Sequence, residues 1–118
     1  MPNSPELLAK LIDSKDPDAM VLVQMAAQGA DFSKPHNPDF AFEAAMEADA
    51  HAIAEKLHSL GYEVRMYVPD DENPNYGVVG ARATVLELAT LNQLTDEFES
   101  LAQVHNSTYD GWGAEVVE

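Results

Sequence analysis

Glu47, His51, Glu55 and His58 recur at helical spacing, so a helix over this stretch gathers two imidazoles and two carboxylates on one face. Those are ligand types for a transition metal, but a working metal site also needs a base, a pocket and outer partners that orient the ligands. Exposed helices carry the same residues as a solvated stripe, and the stripe is read that way. Asp70-Asp71-Glu72 offers hard oxygen donors without the spaced acidic positions or the glycine of a calcium loop, so it is read as a solvated turn. His36, set among Pro35 and Pro38, reads as a loop residue, and His105 as a helix C-terminal residue favoured by the dipole. No Ser-His-Asp arrangement, phosphate loop or dinucleotide fingerprint can be argued, and the chain has no cysteine. The expectation is a protein that is not an enzyme, with no metal and no cofactor.

The stretch with the most shape is Tyr109-Asp110-Gly111-Trp112-Gly113, which holds the only tryptophan. On a regular strand Tyr109 and Gly111 point one way, Asp110 and Trp112 the other. Glycine inside a strand marks a bulge or a close approach by another backbone. Two readings stand side by side. The rings fill a sheet–helix interface, with Asp110 holding a local backbone donor. Alternatively they form an aromatic anchor for a partner on a partly exposed edge strand.

Charge narrows the partners. Against 6 Lys+Arg stand 21 Asp+Glu, a net charge of −15. The acid is spread over the whole chain, with no run long enough to be a tail. Phosphate backbones need Lys and Arg to neutralise them, so direct nucleic-acid binding is not expected, nor is binding to an anionic membrane. A protein with a basic surface is the partner such a field attracts. The N-terminus shows no basic leader followed by an apolar run, and no stretch approaches membrane-spanning length; cytoplasmic is the expected location.

The elements that must position these residues follow from apolar periodicity. Ser4-Pro5-Glu6 opens a short helix with Leu7, Leu8, Leu11 and Ile12 on one face. Asp16-Pro17-Asp18 starts a second, carrying Met20, Leu22, Val23, Met25 and Ala26 and ended by Gly29. After a turn-rich connector, Phe40 and Phe42 alternate in a strand over 39–44. A helix from Met46 to Leu60 turns Ala50, Ile53, Leu57 and Leu60 inward. Strands follow over Tyr62 to Val68 and from Tyr76 to about Leu86, where Gly77 and Gly80 suggest an edge distortion or close packing. Thr90-Leu91-Asn92-Gln93 has capping-box spacing, and Leu91, Leu94, Phe98, Leu101 and Ala102 form the stripe of the next helix. Thr108 to Val117 is the last strand.

Two helices followed by β-α-β-β-α-β predict an α+β fold. It is a ferredoxin-like βαββαβ sandwich, a four-stranded antiparallel sheet with two helices on one face and extra N-terminal helices. Each right-handed crossover is expected to bring a strand beside a parallel neighbour, with strands one and three central and the last at an edge next to the first. The extra helices cover the open face of the sheet or pack at its end. Residues 1–15 form a helical extension, and 16–118 a single domain.

Tyr109-Asp110-Gly111-Trp112-Gly113, the helix-to-strand step Leu60-Gly61-Tyr62-Glu63-Val64 and the stretch Gly29-Ala30-Asp31-Phe32-Ser33-Lys34-Pro35 together resemble the regulator of ribonuclease E activity B (RraB) family. The resemblance runs from about residue 17 to 117, and the helix from Ser4 to Ile12 lies outside it. It implies the same ferredoxin-like sandwich, and a bacterial, cytoplasmic inhibitor or modulator of an RNA-degrading endonuclease that binds the enzyme and not the RNA. It also implies that Tyr109, Asp110, Gly111 and Trp112 keep shape and make protein contact rather than catalyse. A reading of another class is a general interaction or assembly domain with no ribonuclease target, a homo-oligomer built through an edge strand.

Overall fold

The structure, a computed structural model, describes residues 16–118. The expected helix from Ser4 to Ile12 lies outside the described residues. Helix α1 spans Pro17–Ala27; the Asp16 carboxylate accepts the Asp18 N–H at 2.9 Å as its cap, and Pro17 takes the first turn. Its inward face is Ala19, Leu22 and Met25 together with Asp18, whereas Met20 is 56% exposed. Met20 therefore does not belong to the apolar stripe expected of it.

Strand β1 spans Asp39–Ala44, helix α2 Glu47–Ser59, strand β2 Glu63–Tyr67, strand β3 Tyr76–Ala81, helix α3 Leu88–Val104 and strand β4 Thr108–Gly113. The sheet order is β2-β3-β1-β4, so strands one and three are central and the last lies at an edge beside the first, as expected. Every pairing is antiparallel. The expectation of parallel neighbours is corrected: each crossover returns a strand parallel to its predecessor but one position away, with an antiparallel strand between them. The architecture is α+β, a four-stranded antiparallel sheet with three helices, consistent with a ferredoxin-like arrangement.

The alternation of β1 drives Phe40, Phe42 and Ala44 under α2 and α3, where they meet Ala50, Ile53, Leu57, Val78, Phe98 and Ala102. Gly80 explains how closely α2 sits: a Cβ there would lie 3.1 Å from Leu57 Cδ1, so the strand glycine marks close packing. Leu60, expected inward, is 44% exposed past the end of α2. The second cluster joins α1, the connector and the start of α3: Ala19, Leu22, Met25, Ala30, Phe32, Leu86 and Leu91. α1 therefore packs beside α3, at the β4 end of the sheet.

Three boundaries differ from the sequence reading by more than one residue at an end. β3 stops at Ala81, not near Leu86. Its register with β1 resumes in one bridge, His36 with Thr84, because Pro38 has no N–H to continue the ladder between them. α3 begins at Leu88 behind Glu87, which makes no side-chain cap bond, so the capping box at Thr90 is not used. Leu86 and Leu91 are both buried in the second cluster, and that burial fixes the start of the helix in place of the cap. β4 ends at Gly113, and residues 114–118 continue as an irregular strap.

Candidate functional site: an acidic groove beside the last strand

β4 is not a regular strand. Phe42 faces Tyr109 and Ala41 faces Gly111, leaving Asp110 as the extra residue of a bulge. Gly111 has φ +97°, a backbone that glycine adopts without the steric cost of a Cβ. The insertion changes the parity of everything after it. Tyr109 and Trp112 therefore share the helix-covered face, opposite Phe42 and Phe40, which corrects the expectation that they point apart. Asp110 is exposed.

Tyr109 packs its ring against Phe42 (centroids 5.2 Å apart) and Phe98 (5.5 Å). Its hydroxyl is buried with no hydrogen-bond partner among the described residues. Burial first, and then the charge of Asp18, push its ionisation well above the ordinary range for a phenol. The Thr95 hydroxyl is near enough to oppose that shift, but its own hydrogen goes to Asp18 Oδ2 at 2.7 Å. Trp112 touches both hydrophobic clusters, and its Nε1–H donates to Asp18 Oδ1 at 2.9 Å. One buried carboxylate from α1 thus ties α3 and β4 together, and the first turn of its helix favours the negative charge.

Above this network lies an open groove of about 610 Å³, walled by Asp16 and Asp18 from the start of α1, by Asn92, Thr95, Asp96 and Glu99 from α3, and by Tyr109 and Gly111 from β4. Among the described residues that line it, four are acidic and none is Lys or Arg. Asp96 and Glu99 are exposed, so a partner can reach them. Field lines from like charges in a concave site add, so these carboxylates give the groove a negative potential.

The sequence of one family, described as "Regulator of ribonuclease activity B", matches residues 15–114. The chain belongs to that family. No individually curated protein matches it. Membership places the protein among the regulators of ribonuclease activity, a regulatory and not a catalytic family. The bulged segment Tyr109–Trp112, which carried the resemblance, lies within the matched stretch of this RraB-family chain and forms one wall of the groove.

The other candidates lie elsewhere. Glu47 Oε1 and His51 Nε2 are 3.3 Å apart in an exposed pair on α2, with Glu55 and His58 exposed further along it. Among the described residues no group of three or more metal-ligating side chains comes together. In the 70–72 turn the Asp70 carboxylate accepts the backbone N–H groups of Glu72 and Asn73 (2.9 and 2.8 Å) and so shapes its own loop. No helix among the described residues is long and apolar enough to cross a membrane. Asp18 was missed as a site residue, having been read only as part of a helix start. The signal was there: Asp18, Leu22 and Met25 stand at i, i+4 and i+7, so the face that buries the two apolar residues must bury the acid too.

Proposed function

We propose that this protein modulates an RNA-degrading endonuclease by binding the enzyme, with the acidic groove between α1, α3 and β4 receiving a basic surface of the partner. The observation that carries the reading is the groove itself, with four acidic residues and no Lys or Arg among the described residues that line it, built around the segment that bears the family resemblance. The net charge of −15 supports contact with the enzyme over contact with its RNA. The protein acts as a ligand of the enzyme and performs no chemistry of its own.

The test is inhibition of a ribonuclease of the ribonuclease E type, titrated with the wild-type protein and with Asp96→Lys/Glu99→Lys. Both residues are exposed, so the double variant is expected to keep its stability within about 0.5 kcal/mol. Inhibition by the wild type should track the ratio of protein to enzyme, and the variant should weaken it by about tenfold or more. A variant that inhibits like the wild type removes the groove from the reading. A shift of bare RNA by the purified protein removes the protein-contact mechanism altogether. The assembly reading draws on β2, which among the described residues pairs on one side only and carries exposed Met66 and Tyr67, with exposed Val68 next in the chain. Concentration-dependent self-association without any effect on the ribonuclease would favour it.

A further inference from the structure

His36 is 2% exposed, although its neighbours in sequence form a turn-rich connector. The Val117 N–H points at its Nε2 from 3.1 Å, and a backbone N–H can only donate. Nε2 is therefore bare, and the ring proton sits on Nδ1, donated to the Lys34 carbonyl at 3.1 Å. The contact fastens the strap. Beside it the Asp31 N–H donates to the Val117 carbonyl (2.8 Å), and Lys34 Nζ donates to the Glu118 carbonyl (2.6 Å). Ala114 and Val116 of the strap pack on the second cluster together with Trp112.

We propose that His36 is a proton-operated latch: a proton on Nε2 sets two donors against each other, breaks the Val117 bond and loosens the strap from the cluster that supports α1 and Trp112. Protonated imidazole has no acceptor left, so Nε2 can no longer take the Val117 N–H. The surroundings do little to rescue the bond. On the connector, the Asp31 carboxylate feels the ring's charge but already accepts the Ser33 hydroxyl (2.6 Å) and N–H (3.0 Å), which hold its own ionisation below the ordinary carboxylate range. The Lys34 ammonium, of the same sign as a protonated ring, is fixed to the strap. From the stretch after β3 the Thr84 backbone exchanges two hydrogen bonds with the His36 backbone, while Arg82 turns to the Leu60 carbonyl at 3.1 Å. On the strap, Glu115 lines a hollow with Asn37, Asp39, Arg65 and Val117, where Arg65 Nη2 stands 3.8 Å from Asp39 Oδ1. The Phe32 ring, 6.0 Å away by centroid, brings no charge. The inference concerns the free protein and does not depend on the ribonuclease reading.

The experiment is nitrogen-detected NMR of the histidines together with amide exchange, on the whole chain, between about pH 7.5 and about pH 5.5. At the upper end His36 should show the Nδ1–H form. As its ring titrates, the Val117 and Asp31 amides should lose protection by about tenfold or more beyond the intrinsic pH effect, in step with the ring. His51, His58 and His105 serve as internal references whose titration leaves those amides unchanged. His36→Gln offers an amide oxygen as acceptor and cannot titrate, so its strap should stay protected through the same range. An Nε2–H form at the upper pH overturns the proposal, as does a wild-type strap that stays protected while His36 protonates. Equal acid loss in His36→Gln overturns it too.

Discussion

Under α2 and α3, Phe40, Phe42, Tyr62, Phe98 and Tyr109 meet ring to ring with centroids 5.0–5.9 Å apart. Under α1 the side chains are mostly smaller, and the two buried polar or charged side chains among the described residues, Asp18 and His36, sit in or beside this second cluster. The first region is held by apolar area and shape, which are strong but non-directional. The second is held at chosen points by directional bonds, Trp112 and Thr95 on Asp18, Val117 on His36. The aromatic cluster fixes the sheet, and the pinned one sets the walls of the groove, where a displacement of about 1 Å would change what fits.

The largest expected effect lies in the aromatic cluster. Phe98 packs tilted or edge-on against Phe40, Phe42, Tyr62 and Tyr109, and Phe98→Ala should cost about 3–5 kcal/mol in a denaturant titration. A cost near that of a surface change would mean that the rings are not the keystone of this half. The pinned region should answer to a subtler change. Trp112→Phe keeps a ring in place but takes the indole N–H from Asp18, and should cost about 1–3 kcal/mol as a buried carboxylate loses one of its two side-chain donors. Asp18→Asn in the Trp112→Phe background then adds less than it does alone, since the two share one bond. Strict additivity would show that packing, not the bond, holds Trp112.

How much of this could be read from the chain depends on how local the cause is. Phe40 and Phe42, two apart, announced β1 and its buried face, and the stripe through Leu91, Phe98 and Ala102 announced α3, because periodicity and burial coincide there. The glycine in Tyr109–Gly113 pointed to a bulge, yet the parity of the rings was read wrongly. A bulge anywhere in a strand inverts all that follows, and only the partner register shows which residue is extra. The capping box at Thr90 was a sound local signal overruled by the burial of Leu86 and Leu91. His36 had no local signal at all. Its burial is made by Thr84 and by Val117, 81 residues away, and a histidine between prolines reads as loop by every short-range rule.

The smallest expected effect tests the boundary between the two regions, where Tyr109 has its ring in the aromatic cluster and its hydroxyl over Asp18. Tyr109→Phe removes a buried hydroxyl that has no partner among the described residues, and nothing in the ring packing depends on that oxygen. Leaving a buried polar group unsatisfied is itself costly, so at neutral pH the variant should be as stable as the wild type or gain up to about 1 kcal/mol. At alkaline pH the sign is set by the direction of the shift. The folded protein holds the phenol proton more tightly than the unfolded chain, so above about pH 10 the native state binds more protons and stability falls as pH rises. Part of that fall belongs to Tyr109 and should vanish in Tyr109→Phe. Tyr62, also raised by burial, leaves a residual slope in both proteins. Urea titrations at neutral pH and at about pH 11 separate the outcomes. A loss of more than about 1 kcal/mol at neutral pH would show that the hydroxyl has a partner after all, and would move Tyr109 from the packed region into the pinned one.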